Sequence, residues 1–246
     1  MRVILEFTSD KDLYLPLQYN HILQGFIYNQ MTDSEFSEFL HDEGFKYGKR
    51  QFKLFTFSRL EGKFKILKQE GRIAIKPPFK LTISSPIDEF IFDISKNMFK
   101  KDYCIINNQK LQLNSLNIIN PPVFKNRTRI KFLSPVVMDS TIEDKGVKYT
   151  YYYSPWDKNF SILLQKNLLK KYEIVYGENP TDSHFNLNPI GKEDTRYRKI
   201  LKYKDTVVKG WMGIYYIDSS YDLLKLAYYS GLGVKNPQGF GCFEII

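Results

Sequence analysis

Hydrophobic and polar residues alternate, or recur at helical spacing, along most of the chain. Alternation predicts a strand over residues 2–8. After a break at Pro16, apolar side chains at positions 19, 22, 23, 26 and 27 predict an amphipathic helix over residues 18–30. Tyr28 borders the apolar stripe of this helix, so we expect its hydroxyl to reach the edge of the core.

A second, shorter helix is predicted to follow, over residues 32–41. Thr32 lies three residues before Glu35, as in a capping box, and the apolar residues 36, 39 and 40 would face inward. His41 would then end the helix on its polar side. The next apolar run predicts a strand over residues 52–58, with Lys53 near its start, where a long side chain can still reach solvent.

The rest of the first half predicts a hairpin-like pair of strands, a third strand, a helix and two closing strands. They span residues 63–69, 72–75, 79–84 and 87–99, with the closing strands near 103 and 111. This order is a decorated form of the split βαβ unit. Two adjacent prolines predict a linker over residues 120–126, because proline removes a backbone donor and fixes φ. We therefore expect one domain over residues 1–120 and another over residues 126–246.

The second half follows a similar order of elements without a repeat in sequence. Strands are predicted over residues 127–133, 147–153, 197–203 and 207–217. A helix that begins at Ser154 and Pro155 carries an apolar stripe as far as residue 168. A last helix over residues 221–230 and a short strand over residues 240–246 close the chain.

The glycine loop, residues 231–241, lies between that helix and that strand and holds four of the chain's 14 glycines. A dinucleotide-binding turn has the opposite order, and a Walker loop needs a Lys-Ser or Lys-Thr pair that is missing here. Glycines this dense allow successive N–H groups to turn outward and hold an anion. The sequence thus predicts a phosphate site, and a glycine-rich turn without a ligand is the alternative. The residues predicted for the phosphate site are Gly231, Gly233, Lys235, Asn236, Gly239 and Gly241.

Length, composition and charge limit the classes of protein to which this chain can belong. With 246 residues, 43% of them hydrophobic, the chain is long enough for two packed domains. It has no apolar run of membrane-helix length, no signal-peptide pattern at its start and no metal-ligand spacing around its two cysteines, so we expect a cytoplasmic protein without a membrane partner. The net charge of +9 favours a polyanion as partner, and residues 123–246 carry most of this excess.

Few residues remain that could carry catalysis. The three histidines, His21, His41 and His184, have no metal-ligand spacing with each other, with cysteines or with paired carboxylates. Cleavage of RNA without a metal needs a base for the 2′-OH, an acid for the 5′-oxygen and a cation for the phosphorane. Tyr28, His41 and Lys53 supply these types, although a helix-terminal histidine is more often a solvated cap.

Basic residues alternate on the strand that opens the second half. Arg127, Arg129 and Lys131 would project from one face, which could follow a phosphate backbone. A solvated face or a charged sheet edge is the alternative. A second basic cluster at residues 196–204 has the same two interpretations, and one tyrosine of residues 151–153 could stack on a base.

Several motifs together resemble a known family. They are Gly-Phe-Ile-Tyr-Asn at residues 25–29, Leu-His-Asp at 40–42, Phe-Lys-Leu-Phe-Thr-Phe-Ser at 52–58 and the terminal glycine loop, with further similarity at 20–25, 133–135 and 169–177. Through them the chain resembles the CRISPR-associated endoribonucleases that process precursor CRISPR RNA, the Cas6 family of the RAMP superfamily. The resemblance covers most of the chain.

The resemblance implies an α+β fold of two tandem ferredoxin-like, RRM-like βαββαβ domains, the first with the catalytic residues and the second with the RNA-binding glycine loop. It implies cleavage within the CRISPR repeat without metal or cofactor, giving a 2′,3′-cyclic phosphate and a 5′-hydroxyl. Tyr28, His41 and Lys53 fall on the family's catalytic positions, and their division into acid and base stays open. The implied partner is CRISPR repeat RNA, with effector-complex subunits as further candidates and a monomer or homodimer as the assembly. The alternative is a non-catalytic RNA-binding subunit of an effector complex.

Overall fold

The computed structural model describes residues 1–203 and 206–246, with all of their side chains except those of Ser34 and His41. The elements of the first half are β1 (Arg2–Thr8), β2 (Leu13–Pro16), α1 (Asn20–Tyr28), α2 (Ser34–Glu38), β3 (Phe45–Tyr47), β4 (Arg50–Phe52), β5 (Thr56–Phe57), β6 (Glu61–Leu67), β7 (Arg72–Ser84), α3 (Asp88–Phe99), β8 (Cys104–Ile106) and β9 (Gln109–Ile118). In this half, one long strand, β7, pairs with β1, β2, β5 and β6.

The second half has two helices on its sheet and two separate two-stranded ribbons. Its elements are β10 (Arg127–Phe132), β11 (Asp139–Asp144), β12 (Val147–Tyr152), α4 (Lys158–Tyr176), β13 (Phe185–Pro189), β14 (Arg198–Tyr203), β15 (Thr206–Trp211), β16 (Ile214–Ser219), α5 (Tyr221–Ser230) and β17 (Phe243–Ile245). The pairs β11–β12 and β14–β15 form the ribbons.

Both halves contain an antiparallel sheet with the same strand order. The first sheet follows the path β2-β7-β1-β9-β8, with β5 and β6 also paired to β7, and the second follows β13-β16-β10-β17. Numbered along the chain, the strands β1, β5, β7 and β9 lie in the order 4-1-3-2, and so do β10, β13, β16 and β17. With one helix after the first strand of each set and another after the third, this is the split βαβ plan. The predicted α+β fold of tandem ferredoxin-like units is confirmed.

Each sheet covers its own hydrophobic core, because its strands alternate between buried and exposed residues. On β10, Thr128, Ile130 and Phe132 are buried while the basic residues between them are exposed. Phe132 belongs to the second core, together with Phe160 and Leu164 of α4. The first core is built around β1, α1, β7 and α3.

Arg2 joins the two halves at a buried position. Its guanidinium donates to the carbonyl oxygen of Phe243 at 2.8 Å and to that of Tyr228 at 2.6 Å. The same group lies 3.5 Å from the centre of the Tyr228 ring. These acceptors and the ring face compensate the buried charge, so this contact fixes the end of α5 and β17 against β1.

Most predicted elements are present, and several bounds differ. The helices α1, α3 and α5 lie within the predicted ranges. Helix α4 begins at Lys158 rather than at Ser154, because the Ser154 N–H donates to the Asp157 carboxylate at 2.7 Å in a turn before the helix. Residues 207–217 form two strands rather than one, since Gly213 has a φ of +129° between β15 and β16. The strand predicted at 147–153 lies in a ribbon outside the sheet.

Candidate active site and glycine loop

Tyr28 is the last residue of α1 and lies half-buried at the edge of the first core. Its ring makes an edge contact with Phe55, with centroids 5.7 Å apart. Burial, and secondarily the nearby Tyr203, raises the pKa of the Tyr28 phenol well above its usual range. The hydroxyl therefore keeps its proton at neutral pH.

His41 lies in a single turn of π-helix, Phe39–Glu43, that continues directly from α2. The turn ends where the Gly44 N–H donates to the Phe39 carbonyl oxygen at 2.6 Å. Such wide turns are frequent at functional sites because they change the direction in which side chains project. The expectation that His41 points away from the core concerns a side chain outside the described residues. The predicted capping box is wrong, because Asp33 caps α2 by accepting from the Phe36 N–H at 3.0 Å.

Lys53 lies in an irregular connection, not in the strand predicted over residues 52–58. The backbone leaves β4 at Phe52 and enters β5 at Thr56, and Leu54 between them has a φ of +53°. Burial lowers the pKa of the Lys53 ammonium, and the Asp42 carboxylate opposes that shift. Because Asp42 follows His41 in the chain, this interaction places the histidine-bearing turn beside Lys53.

Gly44 gives a second measure of how close this turn lies to Lys53. A Cβ atom added at Gly44 would lie 2.9 Å from the Cδ atom of Lys53 and 2.7 Å from the Phe52 carbonyl oxygen. Gly44 also has a φ of +64°, in the left-handed region. Glycine is therefore required where the π-helical turn meets the Lys53 connection.

Tyr28 and Lys53 line one cleft of about 700 Å³, which we call the tyrosine cleft. The crown of the glycine loop forms part of its wall through Pro237 and Gln238, and β14 contributes Tyr203. The Tyr203 hydroxyl donates to the Gln24 side chain in the same cleft. The structure therefore brings two of the three predicted catalytic residues together with the predicted RNA-binding loop.

The glycine loop differs from the predicted anion cradle. Most of its N–H groups donate within the protein: those of Gly231, Leu232, Val234, Gln238, Gly239, Phe240 and Gly241 all reach carbonyl oxygens. The expectation that these groups turn outward is therefore wrong. Asn236 is also directed inward, where its amide donates to the carbonyl oxygens of Leu232 at 2.9 Å and Phe240 at 3.0 Å.

Close packing explains why the loop needs glycine. A Cβ atom at Gly233 would lie 2.1 Å from the Val137 carbonyl oxygen, and one at Gly241 would lie 2.0 Å from that of Leu232. Both residues have a φ between +74° and +77°. The loop also contacts the first half directly, since the Asn20 amide donates to the Gln238 carbonyl oxygen at 2.8 Å.

Lys171 of α4 is a buried residue that the sequence reasoning missed. Its ammonium donates to the carbonyl oxygens of Gly231 at 2.7 Å and Gly233 at 3.2 Å, and to the Asn236 side-chain oxygen at 2.7 Å. Burial lowers its pKa to about 7. The available signal was its spacing, because position 171 continues the apolar stripe of Phe160, Leu164 and Leu168.

The basic face predicted on β10 is present. Arg127, Arg129 and Lys131 are all exposed, and β10 lies between β16 and β17, so the alternative of a charged sheet edge is wrong. Two of the three cations have partners: Arg127 lies 3.9 Å from the Asp218 carboxylate, and Lys131 lies 2.9 Å from that of Glu244.

The second basic cluster and the tyrosines lie on the two ribbons. Arg196 pairs with the Asp194 carboxylate at 2.6 Å before β14. Tyr151 is exposed on β12, and its ring lies edge-on to Tyr153. Lys204 of the cluster lies outside the described residues.

Neither a metal site nor a membrane-spanning helix is present in the part of the chain that the structure describes. The described residues hold no group of three or more His, Cys, Asp or Glu side chains placed to bind a metal ion. No helix in residues 1–203 or 206–246 is long and apolar enough to span a membrane.

The two sheets, each of ferredoxin-like topology, place this chain in a class of α+β proteins. In this class two tandem ferredoxin-like units are followed by a C-terminal glycine loop. Comparison with known proteins gives the family. The family model for the C-terminal part of the CRISPR-associated protein Cas6 matches residues 119–245, more than half of the chain. The chain belongs to the Cas6 family.

Similar proteins extend the match to the full length. The CRISPR-associated endoribonuclease Cas6 1 of Methanocaldococcus jannaschii is 29% identical over 250 residues, which covers 98% of this chain and 91% of that protein. A solved structure described as CRISPR-associated protein Cas6 is 28% identical, with a TM-score of 0.78, and covers 100% of this chain and 99% of its own. The structure of a Cas6-related protein from Pyrococcus furiosus shares the fold, with a TM-score of 0.85, 24% identity and coverage of 100% and 98%.

Proposed function

We propose that this chain is a metal-independent endoribonuclease that cleaves precursor CRISPR RNA within the repeat. Its relatives in the Cas6 family include proteins named CRISPR-associated endoribonucleases. The observation that carries the proposal is the tyrosine cleft, in which Tyr28 and Lys53 face the crown of the glycine loop. The histidine-bearing turn adjoins this cleft through Asp42 and Gly44.

In the proposed reaction the 2′-oxygen of one nucleotide attacks its own 3′-phosphate. The P–O bond to the next nucleotide breaks, leaving a 2′,3′-cyclic phosphate and a 5′-hydroxyl. One proton leaves the 2′-OH and one is added to the departing 5′-oxygen, so the reaction needs a base and an acid but no oxidant or co-substrate.

The raised pKa of Tyr28 supports one division of these roles. We assign Tyr28 as the acid: a phenol that is protonated at neutral pH cannot take the 2′-OH proton, but it can give its own proton to the departing 5′-oxygen, which is the stronger base. His41 is then the proposed base, because a histidine side chain with an ordinary pKa of about 6.5 accepts protons at neutral pH. Lys53 is the proposed cation beside the phosphorane, and its partial burial strengthens its attraction for the developing charge.

RNA is the proposed partner, and two sets of residues support it. The first is the wall of the tyrosine cleft formed by Pro237 and Gln238 of the glycine loop, and the second is the exposed basic face of β10. Binding of CRISPR repeat RNA in particular, association with effector subunits, a monomeric or homodimeric state and a cytoplasmic location stay predictions.

We also propose the division into a domain of residues 1–120, with the catalytic residues, and one of residues 126–246, with the glycine loop. Two separate hydrophobic cores support it: the first contains buried residues from Val3 to Leu111, and the second contains buried residues from Ile130 to Phe243.

The test is incubation of the protein with CRISPR repeat RNAs in excess EDTA. We expect cleavage to persist, and to stop when the nucleotide before the scissile phosphate carries a 2′-deoxy sugar. The 5′ product should end in a cyclic phosphate, detected by mass spectrometry. Loss of activity in EDTA with rescue by magnesium would contradict the mechanism. Tight binding without cleavage would favour the non-catalytic RNA-binding subunit.

A further inference from the structure

Gly25 lies in the middle of helix α1, where the protein itself gives no reason for a glycine. Glycine inside a helix lowers stability relative to alanine, because it loses more conformational freedom on folding. It is required where φ is positive, or where another group comes too close for a Cβ atom. Gly25 meets neither condition: its φ is that of a helix, and no described atom lies within 4 Å of its Cβ position.

Each of the other glycines has one of these two reasons. Eleven of the 14 glycines have a positive φ. Gly62 and Gly210 do not, but a Cβ atom there would lie 2.9 Å from the Cβ atom of Phe79 and 2.8 Å from the Cγ2 atom of Val137, respectively. Gly25 is therefore the exception among the described residues. A ligand that lies against the helix at this position would supply the missing reason.

The exposed backbone at Gly25 lies in the tyrosine cleft. His21, Gly25 and Tyr28 follow one another along α1 at intervals of four and three residues, so they share one face of the helix. All three line the cleft, and Lys53 lines it as well. The absent side chain thus leaves bare backbone between the His21 imidazole and the Tyr28 phenol, about one helical turn from each.

The lining of the cleft suits a nucleotide. Lys53 and His21 are among the described lining residues, and no carboxylate is. The Asp42 carboxylate, which acts on Lys53, is not in this lining. A phosphate therefore meets no lining carboxylate that would repel it. The side-chain amides and hydroxyls in the lining can form hydrogen bonds with ribose and bases: those of Gln24, Asn29, Tyr203, Thr206 and Gln238.

We propose that one nucleotide of the RNA substrate lies directly against the backbone of α1 at Gly25, between His21 and Tyr28. A nucleotide in this place has its phosphodiester beside Tyr28 and Lys53, the groups proposed for cleavage. Gly25 is then a positioning residue, since its lack of a side chain sets how closely the RNA approaches the Tyr28 hydroxyl. This subsite rests on the proposed function only in that RNA is the ligand.

Gly25→Ala tests the subsite because its effects on stability and on RNA binding have opposite signs. Alanine favours the helix and has open space at this position, so the melting temperature should rise by about 1–4 °C. The added methyl group occupies the surface that the nucleotide needs. RNA affinity should therefore fall on the order of tenfold. The cleavage rate should fall on the order of 10²-fold, since a displacement of about 1 Å is enough for such a loss.

Three measurements follow these effects: thermal unfolding by circular dichroism, fluorescence anisotropy and single-turnover cleavage. The anisotropy probe is single-stranded CRISPR repeat RNA with a 2′-deoxy sugar before the scissile phosphate, so that only binding is recorded. If the wild-type protein cleaves no repeat RNA, the unmodified RNA is the probe.

Two further variants separate the size of the side chain from helix propensity. Gly25→Gln also introduces a good helix former, so it should keep a raised melting temperature and weaken RNA binding more than Gly25→Ala does. Asn159→Ala is the matched control, because Asn159 is exposed in the first turn of α4 and does not line the tyrosine cleft. It replaces a weaker helix former with alanine and should leave RNA affinity and cleavage unchanged.

Two outcomes would overturn the subsite: wild-type RNA affinity in both Gly25 variants, or a melting temperature of Gly25→Ala below that of the wild type, which would show that the protein itself needs this glycine. Failure of the proposed function is a different result. A protein that cleaves no repeat RNA, but whose RNA binding is weakened by Gly25→Ala, would retain the subsite and lose the catalytic role. Cleavage and affinity at wild-type values in both variants would remove only the subsite.

Discussion

The glycine loop and the segments that carry the three proposed catalytic residues are built in opposite ways. The loop is closely packed: most of its N–H groups, the Asn236 amide and the Lys171 ammonium are engaged within the protein. Tyr28, His41 and Lys53 instead lie at a helix end, in a π-helical turn and in an irregular connection. Most of the glycine loop is therefore held by contacts within the protein, while two of the three proposed catalytic residues lie on short irregular segments beside it.

The largest effect on activity is expected in the irregular segments, at His41. His41→Ala should lower the cleavage rate on the order of 10²- to 10⁴-fold, the usual contribution of a general acid or base. Fold and RNA affinity should persist, because Leu40 and the rest of the turn keep their core contacts. Single-turnover cleavage, with anisotropy for binding, measures the two effects separately.

The pH profile of the wild-type rate tests the assignment of His41 as base. A base must be deprotonated, so the rate should rise with pH through about 6–7, where histidine side chains titrate. A rate that falls over this range would assign His41 as the acid.

Tyr28→Phe should lower the cleavage rate less than His41→Ala does. The two changes should combine far from additively if the groups act as one unit. Equal cleavage by wild type and His41→Ala would make the histidine a solvated helix end.

The second-largest effect should come from the glycine loop. Gly233→Ala combines a left-handed backbone with a Cβ atom 2.1 Å from the Val137 carbonyl oxygen, so it should reduce the free energy of unfolding by about 2–5 kcal/mol. Gly177→Ala is the control, because Gly177 has a φ of +76° but open space around its Cβ position. It should cost only about 1–2 kcal/mol. Urea unfolding of both variants checks the difference, and equal losses would refute the packing role of Gly233.

The sequence predicts the regular parts of the fold well. Helix α5 spans the predicted residues 221–230, and the alternation at Arg127, Arg129 and Lys131 gives the correct exposed face of β10. These elements follow from local periodicity. The inward orientation of the Asn236 side chain could not be predicted, because it depends on a hydrogen bond from Lys171, which lies 65 residues away in the chain.

The candidate site was predicted by residue type rather than by geometry. Tyr28 and Lys53 line one cleft, although the strand predicted to carry Lys53 is interrupted. That interruption depends on the positive φ of Leu54, an apolar residue for which no local signal indicates a left-handed conformation. Tertiary contacts of this kind leave no periodic pattern in the sequence.

A third, smaller effect should appear in the pH dependence of stability. Burial lowers the pKa of Lys171 to about 7, against about 10.4 in an unfolded chain. Below pH 7 both states bind the proton, so the cost of burying the charge is fully present. Between these two pKa values the unfolded chain binds more protons, so the free energy of unfolding should rise, by about 2 kcal/mol from pH 7 to pH 9.

Lys171→Met should remove this rise, whereas the exposed Lys166→Met on the same helix should keep it. Urea unfolding of both variants at pH 7 and pH 9 gives the comparison. The same slope in wild type and Lys171→Met would mean that Lys171 stays charged across the range, with its three acceptors outweighing burial.

The smallest effect concerns the one loop cation at the boundary between the packed part of the loop and the cleft. Lys235 lies 3.6 Å from the Asp139 carboxylate, an ion pair that adds at most about 1 kcal/mol to stability. If Lys235 also contacts RNA, Lys235→Ala should reduce the salt slope of binding by about 0.7, the share of one phosphate contact on a single strand. Asp139→Asn is the matched change, because it removes the competing carboxylate and should strengthen RNA binding. An unchanged slope in Lys235→Ala would assign this lysine to contacts within the protein as well, so that RNA contacts would have to come from the cleft walls and the β10 face.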